Sequence, residues 1–345
     1  MVPLRGDQRS AATAAEAQAA RPGLACPSDV QGLAPLWFDR LSVAQPATQD
    51  AVRLRRALWP FRQAAVASYL LQRRTAQRVC QYLSDAAIPC ALFKGSATRE
   101  FLYSDPTVRP ADDIDVLVAP AFRDAAIGAL AARNLRFQGA RSTISHQALL
   151  YDGHVSVDLH WALFRPGRSR FELASVLLDT VRPLGSLSVL SDDASLLVML
   201  VHPAFTKHVN GRTARLIRVV DLDRMLRRAE PDWDWILSLI DGGGLRTAAW
   251  AILHWQQLLM ETPVDPAVLR HLEPGRLKRR YLTYWIEHQL PARLGAIPGL
   301  VQGAFTLALH DRPGDVFRAI AQLLKARLES GQTLRHLQRL SQTLD

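Results

Sequence analysis

Asp113 and Asp115 stand two residues apart in Asp113-Ile114-Asp115-Val116-Leu117-Val118, the clearest strand pattern in the chain. Side chains at i and i+2 of a strand point to one face, so the two carboxylates project together while Ile114, Val116 and Val118 point into a core. Like charges this close repel unless a cation lies between them. Hard oxygen ligands of this kind suit Mg²⁺, which takes one or two carboxylates and completes its shell with substrate phosphates. Farther along, Ser156, Asp158 and His160 alternate with Val155, Val157, Leu159 and Trp161, which places Asp158 on the polar face of a second strand, able to meet the same metal. Lys94-Gly95-Ser96 follows the short apolar run 88–93 and stands at a helix start. Glycine admits the close approach of a phosphate, the helix N-terminus offers N–H groups and positive potential, and the serine hydroxyl adds a donor. The result is a phosphate cradle. It differs from the Walker pattern, because lysine precedes the glycine and no second glycine follows at the required spacing.

The same residue types also have plainer readings. Asp113 and Asp115 could form a solvated edge-strand face, Lys94 a strand-end surface lysine, and Arg109 a loop salt bridge to Asp112. Asp221-Leu222-Asp223 lies in a helical stretch, where i and i+2 do not face each other, and Asp232-Trp233-Asp234 after Pro231 reads as a helix N-terminal charge pair. His146, His154 and His160 match no zinc spacing. His160 is expected to pack or to orient Asp158, and His202 and His208 to pack between helices. Gly242-Gly243-Gly244 lacks a preceding strand and reads as a helix break. Trp233, Trp235, Trp250 and Trp255 fall in helical segments and read as core. The stretch from Asp315 to Leu344 alternates arginine with leucine, the pattern of a solvated amphipathic face.

These groups need a scaffold. Leu33, Leu36, Trp37 and Leu41, then Leu54, Leu58, Phe61, Val66, Leu70, Val79 and Leu83, recur at helical spacing ahead of the first strand. A helix is expected from Ala97 to Tyr103, and then a loop through Asp105-Pro106 and Arg109-Pro110. Pro120 opens an alanine-rich helix to about Asn134. Two extended segments, Ser142 to Tyr151 and His154 to Trp161, are joined by Asp152-Gly153, a strong hairpin signal. From Ser191 the pattern is helical. The organisation is therefore a disordered tail over 1–27, a helical segment over 28–87, a mixed α/β core over 88–190 and a helical half over 191–345.

Composition bounds the rest. With 345 residues and 48% hydrophobic content, the chain is long and apolar enough to exclude disorder over most of its length. Its uninterrupted apolar stretches fall short of the roughly 20 residues a membrane-spanning helix needs. Lysine and arginine number 42 against 32 acidic residues, a net charge of +10, and only Lys94, Lys207, Lys278 and Lys325 are lysines. That balance favours polyanionic partners such as a nucleoside triphosphate, RNA or an acidic peptide. Cys26, Cys80 and Cys90 are odd in number and far apart in sequence, which points to a reducing, cytoplasmic setting.

In combination, Phe93-Lys94-Gly95, Tyr103, Arg109, the Asp113 to Val118 strand and Asp158-Leu159-His160-Trp161 resemble the uncharacterised nucleotidyltransferases of the DNA polymerase beta-like superfamily. The similarity runs from about residue 28 to about residue 265 and takes in His202, His208, Asp221 and Asp232-Trp233-Asp234-Trp235. It implies an α+β fold with a palm-like mixed sheet, two Mg²⁺ ions held by Asp113, Asp115 and Asp158, and a nucleoside triphosphate, ATP among the candidates, bound by Lys94, Gly95, Ser96 and Arg109. Two departures stand out. The interval from Ser96 to Asp113 is longer than usual, so the loop 105–111 must fold back or cap the site, and Asp158 stands where this branch more often carries glutamate.

The resemblance implies transfer of a nucleoside monophosphate from the triphosphate to a hydroxyl or phosphate acceptor on a small molecule, a peptide or protein, or RNA. Neither a membrane nor specific DNA binding is expected. Two other classes compete: an inactive member of the fold that binds nucleotide or a partner without turnover, and a basic RNA-binding helical protein with an incidental palm-like insert.

Overall fold

A computed structural model describes residues 32–43, 48–139, 146–206, 216–228, 230–287, 299–322 and 324–325. The tail expected over 1–27, His208 and the arginine–leucine stretch beyond 325 lie outside the described residues. Among the described residues two helices come first, α1 (Ala34–Val43) and α2 (Gln49–Asp85), and they pack on each other. Thr48 caps the second, its hydroxyl accepting the N–H of Ala51 at 3.3 Å, which satisfies a donor the first helical turn leaves open. Strand β1 (Cys90–Phe93) runs directly into α3 (Lys94–Leu102). Then follow β2 (Ile114–Val118), α4 (Arg123–Ala131), β3 (Arg136–Gly139), β4 (Gln147–Tyr151) and β5 (Ser156–His160). After α5 (Ala174–Leu178), a last pair, β6 (Arg182–Leu184) and β7 (Leu187–Val189), completes a mixed seven-stranded sheet in the order β3-β4-β5-β2-β1-β7-β6. The rest is helical: α6 (Asp192–Thr206), α7 (Ile217–Arg228), α8 (Trp233–Gly243), α9 (Arg246–Leu259), α10 (Pro266–Leu272), α11 (Arg276–Glu287) and α12 (Gly299–Ala308). The fold is α+β, a mixed sheet with helices before and after it. No described helix is long and apolar enough to cross a membrane.

Alternation along the central strands decides what each face of the sheet does. Leu92, Ile114, Val116, Val118, Val157 and Leu159 bury one face against Val79 and Leu83 of α2 and Ile127 and Leu130 of α4. Each such side chain contributes about 1.5–3 kcal/mol when fully buried, so this face sets the register firmly. Ala91, Phe93 and Leu117 point the other way, into a second core with Leu197 and Val201 of α6, Leu222 of α7 and Leu253 of α9. That core crosses the boundary expected at residue 190, so the sheet and the helical half share one interior. Asp115, Asp158 and His160 stand on this second face.

The hairpin turns at Asp152-Gly153 as expected, with Gly153 at φ +99, a conformation glycine adopts without a Cβ penalty. Helix α3 begins at Lys94, three residues ahead of the expected start at Ala97. Pro120 opens a short 3₁₀ turn, Pro120–Phe122, before α4. Strands β3, β6 and β7 were not expected from the sequence. The loop 105–111 is braced against α2: Arg62 holds Asp105 at 2.6 Å and Gln72 donates to the Ala111 carbonyl at 2.9 Å.

Candidate active site

Strand register builds the centre of the site. Asp115 of β2 lies opposite Asp158 of the parallel neighbour β5 and opposite Phe93 of the antiparallel neighbour β1, so Lys94 emerges beside Asp115. His160 lies two residues beyond Asp158 and therefore on the same face. Ligand atoms of Asp115, Asp158 and His160 all fall within 4.8 Å of one another, and all three residues are buried. Lys94 Nζ donates to Asp115 Oδ1 at 2.8 Å and lies 3.2 Å from His160 Nε2. His160 Nε2 is 2.8 Å from the same Asp115 oxygen, a contact in which the imidazole N–H donates to the carboxylate. Gln147 of β4 donates to Asp158 Oδ2 at 2.9 Å.

Burial by itself raises the pKa of Asp115; the Lys94 charge and the His160 hydrogen bond outweigh it and hold the carboxyl well below the usual carboxylate range. Asp115 is thus ionised in a buried position, the form that ligates a cation. Two carboxylates in adjacent register form a donor set of hard oxygens that fits Mg²⁺. His160 adds a nitrogen to the group, yet its Nε2 is already directed at Asp115, so it orients that carboxylate. The expectation that His160 packs or orients Asp158 is thus met by an imidazole directed at the neighbouring carboxylate, Asp115.

Asp113 sits one residue ahead of β2, is partly exposed, and lines a cleft together with Asp115, Lys94 and Gly95. It is not among the three residues whose ligand atoms cluster. The far wall of the cleft comes from the helical half: Met199 and His202 of α6, Ile217 and Asp221 of α7, and Ile252 and Trp255 of α9. His202 also stacks on Phe164, with ring centroids 6.2 Å apart. Ser96, expected to face a phosphate, is buried, and its hydroxyl accepts the backbone N–H of Asp115 at 3.4 Å. Thr98, one helical turn from Lys94, lines the cleft instead.

Arg109 reaches the cleft in an unexpected way. Its guanidinium engages Asp221, with Nη2 2.5 Å from Oδ2 and Nε within 3.3 Å of both oxygens, and Nη1 donates to the Pro110 carbonyl at 2.8 Å. Tyr103 donates to Asp221 Oδ1 at 2.7 Å. Arg109 therefore pairs with Asp221 of α7 and ties the loop to the helical half, where the sequence reading considered Asp112. Burial works against its charge, but Asp221 more than compensates and raises its pKa. Burial, reinforced by Asp221, pushes the Tyr103 hydroxyl above its ordinary range. A Cβ on Gly95 would lie 2.3 Å from Arg109 Nη1, so glycine here leaves room for the guanidinium. The pairing of Arg109 with a residue 112 positions away carries no local sequence signal.

A family model described as uncharacterised nucleotidyltransferase matches residues 23–261, nearly the span over which the motifs resemble that family. No curated protein matches the chain. With the match covering well over half its length, Lys94, Gly95, Asp113 and Asp115 lining one cleft, and Asp158 and His160 gathered on Asp115, the chain belongs to the uncharacterised nucleotidyltransferase family.

Proposed function

We propose that the protein is a Mg²⁺-dependent nucleotidyltransferase that moves a nucleoside monophosphate from a nucleoside triphosphate to a hydroxyl or phosphate acceptor. One observation carries the reading: Asp115 and Asp158 are paired in register, buried and close together, and Asp115 lines a cleft whose opposite wall is the helical half. Asp113, Asp115 and Asp158 would hold two Mg²⁺ ions. Bound there, the metal supplies a lowered pKa for the acceptor hydroxyl and charge neutralisation for the leaving pyrophosphate.

The chain's own groups do the rest. The acceptor oxygen attacks the α-phosphorus in line, the bond to pyrophosphate breaks, and Asp158 takes the hydroxyl proton. Lys94 and the first N–H groups of α3 meet triphosphate charge. Met199, Ile252 and Trp255 offer an apolar wall for the base. Arg109 holds the two walls together through Asp221. The acceptor, on a small molecule, a peptide or protein, or RNA, is selected by the helical half. A cytoplasmic setting accords with Cys80 and Cys90, buried as free thiols.

The competing reading is a binding module without turnover, and the neutralisation of Asp115 by Lys94 is the observation that favours it. Incubation of the protein with each α-labelled triphosphate, Mg²⁺ and a panel of sugar, peptide and RNA acceptors separates the two. Pyrophosphate release with label transfer supports the enzyme. Nucleotide binding without release under every condition supports the module.

A further inference from the structure

Lys94 has two claims on it: the triphosphate it is expected to meet, and the carboxylate it holds. Its ammonium touches Asp115 Oδ1 at 2.8 Å, lies 3.2 Å from His160 Nε2, and sits 4.5 Å from the centroid of the Phe93 ring. The backbone supports this placement, because Lys94 adopts φ +57, a left-handed conformation that a non-glycine residue takes only where its surroundings impose it. The side chain remains 18% exposed and lines the cleft, so it has a path outward.

We infer that Lys94 is a placeholder cation: it occupies the cation position at Asp115 when no nucleotide is bound, and so makes divalent-metal binding conditional on a triphosphate that draws it away. The inference rests on the Mg²⁺-dependent reading above. An ammonium and a divalent ion cannot both sit against Asp115 Oδ1 without strong like-charge repulsion. Metal entry therefore requires Lys94 to leave, and departure into the cleft is favourable only when an anion waits there. Linkage makes the effect reciprocal: the triphosphate strengthens metal binding by the factor by which metal strengthens triphosphate binding. The arrangement would keep Asp115 ionised and oriented by His160 while suppressing capture of metal without substrate.

The test uses Mn²⁺ alone, followed by the electron paramagnetic resonance signal of the free ion, on the full chain. Lys94→Met and Lys94→Gln are compared with wild type, each with and without Asp115→Asn/Asp158→Asn, and circular dichroism melts confirm folding. The account expects both Lys94 variants to bind Mn²⁺ about tenfold more tightly than wild type, within the 5- to 150-fold range usual for site coupling. Adding inorganic tripolyphosphate, corrected for the complex formed in solution, should then increase bound Mn²⁺ more in wild type than in either variant. Unchanged or weaker Mn²⁺ binding in both Lys94 variants, with the carboxylate substitutions still abolishing it, overturns the placeholder and leaves the metal site standing. Mn²⁺ binding indifferent to the carboxylate substitutions in every background overturns the metal reading, and the placeholder falls with it.

Discussion

Asp113 just ahead of β2 and Asp115 within it, and Asp221 and Asp223 on α7, share one spacing and one residue type, yet the two pairs meet different surroundings. On a strand, i and i+2 share a face; on a helix they are about 200° apart. Asp221 accordingly faces the palm and takes Arg109 and Tyr103, whereas Asp223 faces the opposite way and takes Thr262 at 2.7 Å and Arg227 at 3.0 Å. The helical pair is spent on holding elements together. Asp115 differs because its partners are a lysine with a path into the cleft and a histidine that orients it, and because a second carboxylate stands beside it in register. Secondary structure, more than the motif, separates a pair that can act on a ligand from a pair that ties the fold.

Substitutions that treat the two pairs alike should give unlike results. Asp115→Asn should lower pyrophosphate release by about a thousandfold or more, roughly 4 kcal/mol in barrier, and also cost some stability, because Lys94 and His160 lose their buried carboxylate. Asp221→Ala should do the reverse in kind, destabilising the fold by about 3–5 kcal/mol in urea unfolding because it leaves the buried Arg109 guanidinium without its carboxylate. A small stability loss for Asp221→Ala would break the comparison.

Gly95→Ala sharpens the structural side. The added Cβ must displace Arg109 from Asp221, and a loss of about 1–3 kcal/mol is expected from such overpacking. Combined with Asp221→Ala the two losses should be less than additive, since both act on one ion pair.

The smallest effect concerns acid. Asp115 in the folded state titrates below its unfolded value of about 4, so its contribution to stability is complete above that pH and is lost as pH falls toward the folded pKa. Asp115→Asn should therefore show a shallower loss of stability than wild type below about pH 4. Parallel acid limbs would mean that Lys94 and His160 do not hold the carboxylate as the geometry says.

The parts of the site legible in the sequence are those carried by strand alternation. Asp115, Asp158 and the apolar partners of each follow from period two, and the Asp152-Gly153 turn aligns the hairpin that presents Asp158. His160 was in the same pattern, but nothing local shows that its ring meets Asp115 of a neighbouring strand. The partners of Ser96 and Arg109, the Asp115 backbone and Asp221, come from elsewhere in the fold and leave no local signal. Strands β6 and β7 escape notice because they are three residues each, too short for a period to register, and they are held by pairing with each other and with β1. Strand β3 is polar and pairs only with β4, so no burial pattern marks it.

Calorimetric titration with ATP, GTP, CTP and UTP, each with Mg²⁺ and with EDTA, tests the central claim most directly on wild type, Asp113→Asn/Asp115→Asn and Asp223→Asn. The account predicts that at least one triphosphate binds only with Mg²⁺, that binding disappears in the strand double variant, and that it survives in Asp223→Asn. Absence of binding to all four, or binding that the strand substitutions leave intact, would contradict it.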